Sequence, residues 1–326
     1  MIAASVLHDF ANRQEFHEGL RWGVALAAVS VVAGVICTSV FRKPAPIAGL
    51  VVTIAFASAV TPARAVSIDG FGRTGLPSNV GHGLVYLGIA GLVVGLLMMW
   101  QRALVLVGLV VTIPGAVLLT QKSGLPNEHW VAPLVVLTTV VGGTLVADFD
   151  RRHRRRGWGP VMFAVTVVGM YFTVPDTEVA LVLLGASLPL VLLGWPVPLT
   201  SIGAVGAYPA VGALAWTAAY EGLGRPSAIV AGVACLGLFV VEPVTRILLG
   251  FKRTIFDMLP RRWWLAIPVA VGHLVLVFVA ARVAGLRQDV GQATLIVVAE
   301  LVSAVAVLWA IQAEALPQPR RRSVPR

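Results

Sequence analysis

The chain has 326 residues, 58% of them hydrophobic and 12% charged, with a formal net charge of +10. Soluble domains carry roughly 25% charged and about 45 to 50% apolar residues, so a mean hydropathy of +0.88 excludes an ordinary soluble enzyme or binding module. The basic balance does not point to nucleic acid either, because no polar stretch is long enough to fold into a base-reading module.

Residues 1–20 mix Asp9, Glu15 and Glu18 with Arg13, unlike the basic start of a secretory signal. Ile2, Val6 and Phe10 recur every four residues, so this segment reads as a polar terminus or as an interfacial helix. Apolar runs follow at about Trp22 to Val40, Ala45 to Ala63, His82 to Trp100, Ala103 to Thr120, Val131 to Ala147, Pro160 to Val174, Val179 to Trp195, Leu199 to Ala219, Ala228 to Leu249, Trp263 to Ala281 and Val290 to Gln312. Each approaches the length that crosses a hydrocarbon core of about 30 Å. The expected fold is an all-α polytopic transmembrane helix bundle of about 11 spans. One membrane domain covers residues 21–312, followed by a basic cytoplasmic tail at 313–326. Val179 to Ala219 is interrupted only by Trp195, Pro196, Val197 and Pro198. It reads as two spans joined by a tight hairpin, or as one span with a re-entrant piece.

Orientation rests on Asp148 to Trp158, DFDRRHRRRGW, which sets five arginines and a histidine between apolar runs. Such a cluster is retained on the cytoplasmic side. Alternation from it assigns sixteen Lys and Arg residues to inner segments and eight to outer ones. The N-terminus is therefore expected outside, the C-terminus inside, and the chain in the bacterial inner membrane. Its arginines are expected to meet anionic headgroups at the cytoplasmic face.

Glu242 and Glu300 fall inside apolar runs, where a charge costs on the order of 3 kcal/mol and usually faces a bundle interior or an aqueous path. His273 lies at a depth similar to Glu300 on the preceding run, so the two are expected to form either a proton-carrying pair or a bond that merely holds two helices together. Glu242 precedes Pro243 and shares a helix face with Arg246, which predicts an internal salt bridge or a kink near a substrate site. Nine of the fifteen acidic residues fall outside, which makes an outer mouth a second candidate site. It would pool Asp69, His82, Glu128, His129, Asp176, Glu178 and Glu221; helix capping alone accounts for Asp176 and Glu178. Gly91 and Gly95 form a GxxxG packing face. Cys37 and Cys235 lie in apolar runs and suggest neither a disulfide nor a metal site. No Walker loop, dinucleotide-binding glycine fingerprint, HExxH or GxSxG occurs. No cofactor or metal is expected, and no catalytic residue is assigned.

The segment Tyr171 to Gly185, YFTVPDTEVALVLLG, resembles one found in uncharacterised multi-spanning membrane proteins of actinobacteria, as does the arginine-rich composition. That resemblance covers about fifteen residues. It implies a source class and no activity. The expected function is a transporter or flippase-like protein for a small or lipid-linked envelope precursor. The alternatives are a membrane-embedded enzyme of envelope glycan or lipid assembly with an acidic outer site, and a non-catalytic scaffold subunit.

Overall fold

A backbone in hydrocarbon must bond its own N–H and C=O groups, and a chain without strand alternation does so as helices. The computed structural model describes residues 78–100, 105–121, 131–153, 158–174, 178–194, 202–221, 225–249 and 263–315, with positions 12, 13, 16, 17, 19–21, 24, 28, 125, 127, 129 and 130. Among the described residues 91% are helical and no strand occurs. The helices are α1 (Ser78–Trp100), α2 (Val105–Thr120), α3 (Val131–Leu137), α4 (Gly143–His153), α5 (Trp158–Thr173), α6 (Glu178–Gly194), α7 (Gly203–Glu221), α8 (Pro226–Ala234), α9 (Gly237–Leu249), α10 (Trp263–Gly285) and α11 (Val290–Ala315).

Among the described residues, two stretches are long and apolar enough to cross a membrane, Val131–His153 and Val290–Val307; α8 and α9 supply a third if their bent pair is one span. Shorter apolar helices occupy Val80–Gly95, Leu109–Thr120, Trp158–Thr173 and Leu274–Gly285. This architecture is compatible with a membrane protein. Apart from positions 24 and 28, the expected run Trp22 to Val40 lies outside the described residues, as do the run Ala45 to Ala63, the turn at Trp195 to Pro198 and nearly all of the tail.

Helix α7 is the centre. Its small residues Ala207, Ala210, Ala213, Ala215, Ala218 and Ala219 are buried along its whole length, together with Tyr208, Val211, Leu214 and Trp216. Small side chains let neighbours approach closely, the usual device where lipid removes the hydrophobic drive between helices. On α1, Gly91 meets the backbone of Ala204 and Val205, where an added Cβ would lie 2.5 Å from the Ala204 oxygen, and Gly95 faces the Ala204 methyl. Gly143 on α4 lies against the Tyr208 ring. A single π-helical turn, Thr138–Gly142, joins α3 to α4. An inserted turn of this kind re-aims the face of a helix, and Thr144 beyond it hydrogen-bonds the Tyr208 hydroxyl at 2.9 Å.

The outside of the bundle is apolar. Val271, Val275, Leu276 and Val279 of α10 and Leu295, Val298 and Val302 of α11 are exposed, Leu295 by 71% and Val302 by 63%. Soluble proteins rarely leave so continuous an apolar surface bare. Near the N-terminus, Phe16, Gly19 and Leu20 lie against α6 at Gly185, where an added Cβ would be 2.5 Å from the Phe16 oxygen.

Two local departures from the expected elements matter. The basic stretch begins as helix, since α4 continues through Asp148 to His153. Arg151 reaches the Asp148 carboxylate at 2.6 Å and Arg152 bonds it as well, i,i+3 and i,i+4 pairs that support a last turn. The run Ala228 to Leu249 is interrupted: α8 and α9 are bent by 59° across Cys235 and Leu236. There the N–H groups of Cys235, Leu236 and Phe239 bond three residues back, to Gly232, Val233 and Leu236, the tighter pattern that ends a helix.

Candidate functional site

The helical turn that closes α4 sorts its charges. Asp148, Arg151 and Arg152 pair with one another at the surface, while Asp150 and His153, three residues apart on another face, are 1% and 2% exposed. A buried carboxylate requires hydrogen bonds. Asp150 Oδ2 accepts the Gly203 N–H at 2.8 Å, which places a negative charge at the start of α7, where the helix dipole favours it. Gly203 has φ of 60°, a left-handed conformation that glycine adopts without penalty. Gly159, at the start of α5, lies against the same carboxyl group, and any side chain there would overlap it.

His153 turns toward α9. Its Nε2 lies 2.7 Å from Glu242 Oε1, and Glu242 is 5% exposed. Two bare acceptors would repel at that distance, so a proton lies between them. The Phe149 ring packs on the imidazole with centroids 4.7 Å apart and meets Phe239 edge-on at 5.2 Å, giving the pair an apolar wall. The second carboxyl oxygen, Glu242 Oε2, is buried and has no hydrogen-bond partner. Pro243 follows directly inside α9, and its missing N–H removes the bond that the Phe239 carbonyl would otherwise accept.

Arg246, the expected partner of Glu242, forms no ion pair with it among the described residues. The tertiary partner His153 takes that place, because helix packing brings the end of α4 onto this face of α9. Glu300 lies on the packed face of α11, in register with buried Ala293 and Ala304, and its Oε1 is buried without a partner. The next residue, Leu301, contacts Gly237 at the start of α9. Glu300 therefore sits level with the interruption between α8 and α9. Glu242 follows Gly237 by five residues, about 7.5 Å along the helix axis. His273 is on α10, but its side chain lies outside the described residues.

The outer-face candidates are not brought together by what is described. His82 and His129 are exposed. Asp69, Glu128 and Asp176 lie outside the described residues, as do the side chains of Glu178 and Glu221. Among the described residues no group of three or more His, Cys, Asp or Glu could hold a metal ion. At the end of the bundle opposite His153, Arg282 donates to the Phe172 carbonyl at 2.9 Å and Ser227 to that of Arg287, contacts that tie α5, α8 and α10 together.

Sequence reasoning singled out Glu242 and Glu300 but treated Asp150 and His153 only as part of a topology signal. The i,i+3 spacing of an acid and an imidazole within a run of arginines was the available sign of an inward face. No family model, curated protein or solved structure matches this chain.

Proposed function

We propose that this chain is a polytopic transporter of the bacterial inner membrane, flippase-like, moving a small or lipid-linked envelope precursor. In this reading it has about 11 spans, the N-terminus outside, and the arginine-rich end in the cytoplasm against anionic headgroups. The observation that carries the reading is the interrupted helix α8–α9, bent by 59°, with buried Glu242 on its second half. Backbone that breaks from helical geometry is tolerated at membrane depth where it is enclosed by protein or lines a cavity, and transporters place such breaks beside their substrate sites. The buried pair that Glu242 forms with His153 of α4 supports the reading further, since ionisable groups within a membrane are costly and commonly mark substrate or ion pathways.

The test is a leaflet assay. The full chain is reconstituted in vesicles containing a fluorescent polyprenyl-phosphate glycolipid, and a membrane-impermeant quencher is added outside. Quenching that proceeds past the outer-leaflet half toward completion supports the proposal; quenching that stops at one half, as in protein-free vesicles, counts against it. Cysteine-accessibility labelling at residues 69 and 257 checks the orientation, with residue 69 expected to react from outside and residue 257 only after permeabilisation.

A further inference from the structure

We infer that Glu300 and the His153–Glu242 pair are two stations for one coupling proton, the first level with the interruption between α8 and α9 and the second further along α9. This rests on the transporter reading and names its driving ion.

The placement comes first. Glu300 is level with the break, through the contact of Leu301 with Gly237. Val241 then packs with Ala304, Leu301 and Val305, so α9 and α11 run side by side from the break toward the His153 end. Glu242 follows at the bottom of that seam. Each carboxyl group keeps one buried oxygen with no hydrogen-bond partner, Oε1 of Glu300 and Oε2 of Glu242. A carboxylate oxygen left bare in an apolar span is costly, and a proton is the smallest group that removes the cost. Imidazole beside the second carboxyl supplies a site that both takes and gives a proton.

Among the described residues, the charged and titratable groups around the seam are few. Helix α4 brings Asp148, Asp150, Arg151, Arg152 and His153; Asp150 is engaged by the Gly203 N–H and Asp148 by the two arginines. Helix α11 brings Glu300, and α9 itself Arg246. From α8 only the Cys235 thiol just beyond it is near, bonded to the Ala231 carbonyl and to Thr173. Helix α10 carries His273 and, at its far end, Arg282. The step is balanced: a proton leaves the Glu300 carboxyl, making it a carboxylate, and the carboxylate–imidazole pair at Glu242 and His153 gains it.

Difference infrared spectroscopy of the purified full-length protein tests this. The acid carbonyl band of Glu300, assigned by its loss in Glu300→Gln, is followed as pH rises. Two unit charges on the order of 10 Å apart shift each other's titration by about one pH unit. Glu242→Gln removes a negative charge, so the Glu300 midpoint is expected to fall by about one unit. His153→Gln removes the imidazole that takes up the proton, so the Glu242 carboxylate stays negative as Glu300 titrates, and the midpoint is expected to rise. If Glu242→Gln does not elute as a single species, His153→Gln, which keeps the carboxylate, carries the same comparison with the opposite sign. A band untouched by Glu300→Gln, or a midpoint that stays put in a folded variant, overturns the inference. In the leaflet assay an imposed pH gradient should accelerate flipping by wild type but not by Glu300→Gln. Flipping with uncoupled titrations would leave the transporter standing and remove its proton. Coupled titrations without flipping would do the reverse.

Discussion

Helices α7 and α11 are both apolar, yet they meet opposite surroundings. Helix α7 is enclosed all round, its alanines and Tyr208 closed off from any solvent. Helix α11 touches the bundle along one stripe, Ala293, Val297, Glu300 and Ala304, and leaves Leu295, Val298 and Val302 bare. In water the second arrangement would be unstable; against lipid tails it costs little, since tails are as apolar as leucine. Packing precision is therefore concentrated at the centre. The unpartnered oxygens of Glu242 and Glu300 belong to α9 and α11, whose shared seam holds Val241, Leu301, Ala304 and Val305.

That contrast can be broken most severely at the junction of the two regions. Glu242→Ala removes the carboxyl partner of the His153 Nε2 atom, and breaking a buried pair in this way typically costs about 3 to 5 kcal/mol; the melting temperature in detergent should drop by more than for any other change considered. Gly91→Leu, at the closest approach to α7, is expected to destabilise by about 1 to 3 kcal/mol through overpacking, read in the same melting experiment. Asp150→Ala takes the cap from α7 and should cost about 1 to 2 kcal/mol. Tyr208→Phe loses the hydroxyl contact with Thr144 for about 1 kcal/mol. Val302→Leu on the bare face of α11 should change stability by no more than about 0.5 kcal/mol. A large loss at Val302 would mean that this face is covered by protein and that the contrast with α7 is false.

Much of the helical pattern was legible in the sequence because apolar run length alone separates spans from loops. The runs at His82 to Trp100, Ala103 to Thr120 and Pro160 to Val174 correspond closely to α1, α2 and α5. The interruption at Cys235 and Leu236 was not legible: both residues are apolar, no proline marks the site, and hydropathy is blind to a change of hydrogen-bond register. The π-helical turn at Thr138–Gly142 was hidden for the same reason. For Glu242 the reading found the residue and missed the partner. Sequence neighbours suggest Arg246 at i+4, whereas His153 stands 89 positions away, a separation that only packing reveals. Glu300 was legible as an acid inside an apolar run, but its level beside a helix break depended on the break being known.

The Asp150 carboxylate also sets a timetable for assembly. Its acceptor oxygen waits for a backbone N–H that is synthesised 53 residues later, roughly 3 to 10 seconds at ordinary elongation rates. Its neighbour His153 waits 89 residues for Glu242. Until α7 and then α9 arrive, the end of α4 carries an acid and an imidazole without these partners, and such polar groups must meanwhile stay hydrated. One short turn thus ties the closure of the interior around α4 to the arrival of α7 and then of α9.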